Sequence, residues 1–491
     1  MPGTLFIIIA VDIPDFQYRM FHNLSRLSIV VFLQMLMSAE HPKVLFLLPI
    51  IMDFYFDNIV YSIDSVLTFI RYQIQVRSAA EWFFFFMPFY IFGEFPRYVL
   101  PVFFLLISRL AGWDRDDTEK RKAFLKNRPT VSVLLVGYNE EETVTKAIDS
   151  LLELEYENME IIVVDDNSAD EMYKAALPYS EKGLIKLFKN TAAGGRSGRP
   201  SSSNMALHLS TGEYILSVDA DTSFDRDILL HMIGPFYDAR VGGVAGNLKV
   251  RNTGESVWAR FQAIEYTISI GLWKRWLNLI GMNMQASGAF GAFRRKVLLD
   301  TGAWDPELAE DADLSLKVKK AGWKIVFAPE AIAMTNAPTT RKALTNQRFR
   351  WDMSGFRTYF RKHADILKFW QYDWRNCFEV SLEFFFSIVM TMVYAAYIGY
   401  MLVFFPFILI FVWSVTYGVY MLTTLAAFGV HLIFSERIRD EWPLVFTIPF
   451  FPLYKGYTRW VRFFSVMMEL FRVNYEDPYL PVSAWRNTRK W

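Results

Sequence analysis

A single cysteine, Cys377, stands among 491 residues, which excludes an intramolecular disulfide and any cysteine-based zinc site. Neither sign of charge prevails. The 52 Lys and Arg offset 51 Asp and Glu, leaving a net charge of +1 and no electrostatic case for nucleic acid as a partner. The chain has no internal repeat and no low-complexity linker. Residues 4–11 are apolar but lack a basic flank and a small-residue cleavage site, so no cleavable leader is expected there. Residues 384–434 contain no Asp, Glu, Lys or Arg at all.

What is abundant is apolar side chain: 53% of residues are hydrophobic, 17% aromatic, and 45 are Phe. That exceeds an ordinary soluble protein, while 21% charged residues exceed a pure membrane bundle. The two populations are segregated along the chain, so a soluble module between membrane segments is expected. Residues 1–110 read as N-terminal membrane and interfacial helices. Within them, 27–37 and 44–52 are too short to span a bilayer alone, and 82–93 with 98–108 form either one kinked span or two helices turning at Pro96. A basic run follows, from Arg109 through Arg115, Lys120, Arg121, Lys122 and Lys126 to Arg128, and places the module on the cytoplasmic side.

Residues 129–338 alternate aliphatic runs (131–136, 161–164, 185–188, 214–218, 244–250) with helical stretches such as 141–152 and 201–209. This predicts an α/β domain with a mostly parallel sheet and its chemistry at the carboxyl ends of the strands. Residues 339–380 mix basic and aromatic side chains as interfacial amphipathic helices do. Residues 381–473 form a C-terminal transmembrane region with a turn near Pro406 or Tyr417-Gly418, and 474–491 a tail.

Tyr214-Ile-Leu-Ser-Val-Asp-Ala-Asp-Thr222 is the stretch around which the module is organised. It reads as a buried strand ending in two carboxylates, Asp219 and Asp221, on one side, with Ala220 facing away. Hard oxygen donors in that position suit Mg²⁺ or Mn²⁺ carrying a diphosphate; the plain structural alternative is an Asp-rich turn. At the end of the first strand, Tyr138 offers a stacking face and Glu140 an acceptor for a base edge, while Asn139 could cap the next helix. Asp165 and Asp166 close the second strand, where an acid can bind ribose hydroxyls. Ala309-Glu-Asp-Ala-Asp-Leu-Ser315 opens a helix, and Asp311 is placed to act as a general base. Acids there also simply favour the helix dipole. In Gln347-Arg-Phe-Arg-Trp351, Arg350 can pair with a diphosphate and the indole can stack on a sugar; its alternative is a membrane-interface belt.

The order Tyr-Asn-Glu, Asp-Asp-x-Ser, Asp-x-Asp, Glu-Asp, Gln-x-x-Arg-Trp resembles the processive family 2 glycosyltransferases, the cellulose, hyaluronan, chitin and chitooligosaccharide synthases. The resemblance covers about residues 130–352. It implies a GT-A fold, a nucleotide-sugar donor (a UDP-sugar), Mg²⁺ or Mn²⁺, inversion at the anomeric carbon, and a β-linked polysaccharide grown on a glycan acceptor and translocated. By position, Tyr138, Glu140 and Asp166 would contact the nucleoside, Asp219 the donor and Asp221 the metal. Asp311, with Glu310 beside it, would be catalytic. Arg196 and Arg350 would meet the diphosphate, and Gln347, Trp351, Ser287 and Gly288 the acceptor. Three departures stand out: Gly194-Gly-Arg-Ser-Gly-Arg-Pro200 offers Arg196 and Arg199 where relatives have a Gly-Lys loop, Ala309 replaces the usual Thr, and the C-terminal region holds fewer spans. The last leaves room for a partner subunit that completes secretion. The expected location is the inner or plasma membrane, in contact with lipid. Two other readings are a single sugar transfer to a lipid carrier and a nucleotide-binding membrane scaffold or transporter.

Overall fold

The strand Val131–Gly137 (β1) is buried at every residue, as a strand covered on both faces must be. Seven more complete the sheet: β2 Met159–Asp165, β3 Lys186–Lys189, β4 Tyr214–Asp219, β5 Ser223–Phe224, β6 Val241–Val250, β7 Phe290–Arg294 and β8 Lys324–Thr335, in the order β3-β2-β1-β4-β7-β6-β8-β5. The computed structural model describes residues 64–65, 67–68, 71–90, 94–112, 118–191, 197–282, 285–307 and 309–471. The apolar runs at 4–11, 27–37 and 44–52, residue Arg196 and the 474–491 tail lie outside the described residues.

The sheet is mixed rather than mostly parallel. β1 pairs in parallel with β2 and β4, β2 with β3, and β6 with β8, whereas β7 runs antiparallel to both β4 and β6, and β5 to β8. Residues 287–289 form a turn that leads into β7. Side chains from alternate positions feed two cores. Val133, Leu135, Leu216 and Val218 face helices Val144–Leu152, Met172–Glu181 and Ile228–Ile233. Leu134, Val136, Ile215 and Ala245 face Arg199–Leu209, Arg295–Thr301 and Glu310–Lys320. The helix expected at 141–152 begins at Val144, and its buried Val144, Ala147, Ile148 and Leu151 follow helical spacing.

The chain divides into two compact units, Met1–Glu81 and Trp82–Trp491. In the first, Arg77 pairs with Glu81 at 3.1 Å. In the second, helix Glu94–Ala111 precedes the sheet, and Arg341–Arg357, Trp374–Phe404, Pro406–Phe434 and Phe451–Leu470 follow it. Trp374–Phe404 and Pro406–Phe434 are long and apolar enough to cross a membrane by length and composition. The chain breaks between them at Phe405-Pro406, and helix Pro406–Phe434 passes through Tyr417-Gly418 without a turn.

Candidate active site

Strand register brings the motifs to one edge. Val136 is opposite Asp219, and Gly137 is opposite Asp165, so β1, β2 and β4 finish level. Because β7 runs antiparallel to β4, with Phe290 opposite Val218, the preceding Ser287 and Gly288 return to the same edge. The loops after β1 and β2 hold each other. Asn139, in the left-handed region at φ 59°, donates its amide to Ser168 Oγ at 2.9 Å and accepts from Ala169 N at 2.8 Å. Its side chain therefore bridges loops and does not cap the next helix. Tyr138 is half-buried beside it.

Arg199, in the first turn of Arg199–Leu209, sits at the centre. Its Nε donates to Asp219 Oδ1 at 2.9 Å, Nη1 to Glu310 Oε1 at 3.0 Å and Nη2 to the Gly288 carbonyl at 2.5 Å. Burial works against its charge, but Asp219 and Glu310 outweigh it and raise its pKa. The sequence offered Arg196 and Arg199 together in this stretch, and the diphosphate was expected at Arg196 and Arg350; Arg199 is the one the described residues place among the carboxylates. A side chain at Gly288 would be tight: a Cβ would lie 3.1 Å from Arg199 Nη1 and 3.2 Å from Glu310 Oε1, so those groups would have to give by a few tenths of an ångström.

Asp166 was expected at the nucleoside. It is buried, and its oxygens accept from Gly198 N at 3.0 Å and Ser202 Oγ at 2.8 Å, so here it braces the turn that presents Arg199. Ala220 is buried between Asp219 and Asp221, which both remain partly accessible. Burial, then Asp219, raises the pKa of Asp221, whose Oδ2 accepts from Thr335 Oγ1 at 3.3 Å. Burial also raises Glu140, against a hydrogen bond from Thr143, and Asp221 and Asp219 add to the rise. Like charges held this close suit a divalent cation. Among the described residues no group of three or more acidic, His or Cys side chains converges, so the fit is to an ion that takes one or two carboxylates and fills its shell with phosphate and water, as Mg²⁺ and Mn²⁺ do.

Asp311 accepts from Gly288 N at 3.1 Å through Oδ2 and from Ala312 N at 2.8 Å through Oδ1. Ser315 Oγ donates to the Asp311 carbonyl at 2.7 Å and accepts from Ala286 N at 3.1 Å, tying helix Glu310–Lys320 to the 286–288 turn. The helix Arg341–Arg357 starts six residues beyond the threonine that bonds Asp221 and carries Gln347, Arg350 and Trp351. Gln347 Oε1 is buried without a hydrogen-bond partner. Arg350 is half-buried, and Trp351 is exposed with Arg348 stacked 4.6 Å from its ring centre. Tyr266 is pushed up to about 12, chiefly by burial, and feels both Arg348 and Asp221, so this helix and the Asp-Ala-Asp turn face one region.

Residues 129–354 match the "Glycosyltransferase like family 2" domain. The poly-beta-1,6-N-acetyl-D-glucosamine synthase of Staphylococcus aureus strain COL is 31% identical over 243 residues, covering 48% of this chain and 57% of that protein. The synthase of the same name from Staphylococcus epidermidis is 32% identical over 240 residues, with the same coverage. The chain thus spans little more than half the length of these relatives. Among solved structures, a Pyrobaculum calidifontis mannosyltransferase in complex with GDP-Man and Mn²⁺ aligns over 76% of this chain and 99% of its own, with a TM-score of 0.50 and 18% identity, a likeness of fold.

Proposed function

We propose, from the match of residues 129–354 to the family 2 glycosyltransferase domain, that the chain is a processive, inverting polysaccharide synthase. It polymerises a β-linked glycan from a nucleotide sugar, in the first instance a UDP-sugar, and carries the product across the membrane in which it is embedded. The observation that supports this best is the meeting of Asp219, Glu310 and Gly288 on Arg199, with Asp311 bonded to the same Gly288. The relatives' name makes N-acetylglucosamine the first donor to try.

In this reading Asp311 takes the proton from the acceptor hydroxyl as that oxygen attacks the anomeric carbon, and the nucleoside diphosphate leaves from the opposite face. Gly288 lets the sugar approach the backbone. Arg199 leaves its carboxylate partners for the diphosphate, where Arg350 and Arg196 join it. Asp221 and Asp219 would hold a divalent cation, which would supply charge neutralisation of the leaving group. Tyr138 and Glu140 receive the nucleoside, and Asp166 acts through the turn it braces. Gln347, Trp351 and Ser287 hold the acceptor end, the unpartnered Gln347 Oε1 awaiting a sugar hydroxyl. The module at 129–338 faces the cytoplasm, 339–380 lies at the interface, and 1–110 and 381–473 contribute membrane helices; a partner subunit completes the export path.

The test is turnover of a nucleotide-sugar panel by purified protein with Mg²⁺ or Mn²⁺. Nucleoside diphosphate release together with a long glycan is expected, and Asp311→Asn should lower turnover by about a hundredfold or more while donor binding persists. A product of one sugar on lipid would reject the polymerase. Nucleotide binding with no turnover for any donor would favour a scaffold.

A further inference from the structure

Helix Glu310–Lys320 carries Glu310 and Asp311 in its first turn, yet its N-cap position is Ala309, with no side-chain hydrogen bond. Alanine has no side-chain oxygen to accept from the amides of that turn. Two other helices are capped: Ser256 Oγ accepts from Ala259 N at 3.1 Å, and Thr340 Oγ1 from Ala343 N at 3.2 Å. In the turn that bears the base the equivalent amide, Ala312 N, is taken by Asp311 Oδ1 at 2.8 Å, so the hold comes from the base itself and not from the N-cap position.

On the opposite side of the same turn, Asp313 is fully buried. Two positions along an α-helix are about 200° apart, so Asp313 points away from Asp311. Its Oδ1 lies 2.7 Å from Lys362 Nζ and 2.8 Å from His363 Nε2. Lys320 Nζ stands 3.3 Å from His363 Nδ1; an ammonium only donates, so Nδ1 accepts and the ring proton sits on Nε2, directed at Asp313. Lys362 also reaches Asp305 at 2.8 Å and Glu307 at 3.3 Å, and Lys317 reaches Asp305 at 3.1 Å and the Ala303 carbonyl at 2.7 Å. Lys317 also faces Asp313 Oδ2 at 3.7 Å. The same lysines thus fasten the residues before the helix to a carboxylate inside it.

We propose that Asp313, Lys362 and His363 form a positioning cluster for Asp311. It supplies from outside the helix the hold on the first turn that a capping side chain would give. The cluster fixes the rotation of the helix about its axis and so the direction of the Asp311 carboxylate, whose 3.1 Å bond from Gly288 N is the first contact to drift when it is broken. The proposal rests on Asp311 being the base. It also explains how a chain with Ala309 keeps its first turn in place.

The experiment uses full-length protein in its membrane environment, with nucleoside diphosphate release followed against donor concentration. Asp313→Asn and Lys362→Gln should lower kcat by about tenfold to a hundredfold, the scale of a small misplacement of a reacting group, with the donor KM changed less than about twofold. Adding Ala309→Thr to Lys362→Gln should recover kcat several-fold, because the new hydroxyl holds the turn from its own end. Lys319→Gln, on the same helix as Asp313, breaks the buried 2.6 Å pair with Glu379 of Trp374–Phe384; it is the control for mere stability and should lower the melting temperature without a matching fall in kcat. Unchanged kcat per folded molecule in the cluster variants, or Ala309→Thr raising the melting temperature without raising kcat, overturns the proposal. Where Asp313→Asn fails to fold, Lys362→Gln with and without Ala309→Thr decides. Full turnover by Asp311→Asn would overturn the base assignment and the cluster with it. Loss of turnover in Asp311→Asn beside normal cluster variants overturns the cluster alone.

Discussion

Glu310 stands where one guanidinium serves several carboxylates. Its side chain is 16% exposed, and its pKa rises from the ordinary 4.5 to about 7. Burial is the main cause; Arg199 pulls the other way, while Asp311 and Asp219 add to the rise. Arg199 itself moves up against its burial, chiefly through Asp219 and then Glu310. Glu310 still rises, because Arg199 divides its charge between Asp219 and Glu310. A carboxyl with a folded pKa above its unfolded value stabilises the fold while protonated. That contribution is complete below about 4.5 and is lost as pH rises through about 7, at most about 3 kcal/mol. Glu310→Gln, neutral at every pH, should therefore melt higher than the parent at pH 8 and close to it at pH 4.5 in thermal scans. Equal displacement at both pH values would contradict the assignment. The arginine was the least legible part of the site. Arg196 and Arg199 have the same chemistry and lie three residues apart, and only the start of helix Arg199–Leu209 aims Arg199 at Asp219.

At the scale of elements, β1, β2 and β4 were legible because a strand buried on both faces is a continuous aliphatic run. The sheet's mixed character was not. β7 is five residues, Phe290-Gly-Ala-Phe-Arg294, too short and too rich in small residues to show a period, and β8 contains Pro329, which usually marks a strand end. Here the proline is accommodated at a register shift between Ala245 and Asn247 of β6, where Asn247 Nδ2 donates to the Pro329 carbonyl at 2.9 Å. The Asp-Ala-Asp turn and the Glu310-Asp311 pair were readable as motifs, but their meeting through Gly288 required the antiparallel β7. The Arg341–Arg357 helix shows how an element carries function. Arg348 is anchored by Glu265 at 2.7 Å, with Tyr454 donating to the same oxygen at 2.6 Å, and its guanidinium lies over the Trp351 ring. One face of the indole is thus held by the protein while the residue stays 44% exposed. Trp351→Ala should leave donor hydrolysis within about threefold but collapse product length, since stacking on a sugar contributes to holding the growing end. Size-exclusion chromatography of the glycan measures this, and full-length product would reduce Trp351 to an interface anchor.

At the scale of the whole molecule, the proposed placement in a bilayer turns on two long apolar helices. Helices Trp374–Phe404 and Pro406–Phe434 are about 46 and 44 Å long, more than the roughly 30 Å of hydrocarbon they would cross. Their apolar side chains stay uncovered, Val403 at 72% and Ile410 at 65%. The Phe434 end is bound to the sheet: His431 Nε2 lies 2.9 Å from Glu441, and Lys249 of β6 reaches the same carboxylate at 2.6 Å. Two residues beyond Lys249, Arg251 donates to the Asp221 carbonyl at 2.9 Å, so this helix end and the candidate active site share one side. Cations gather there, with Arg109 and Arg275 each over the Phe434 ring and Arg437 paired with Asp225, as expected of a cytoplasmic face. Sealed inverted membrane vesicles should therefore consume added donor, and right-side-out vesicles should do so only after permeabilisation. If the chain also exports its product, glycan made by inverted vesicles will resist an added glycanase until detergent opens them. Donor consumption by intact right-side-out vesicles would reverse the orientation, and glycan digested without detergent would limit the protein to synthesis on the cytoplasmic surface.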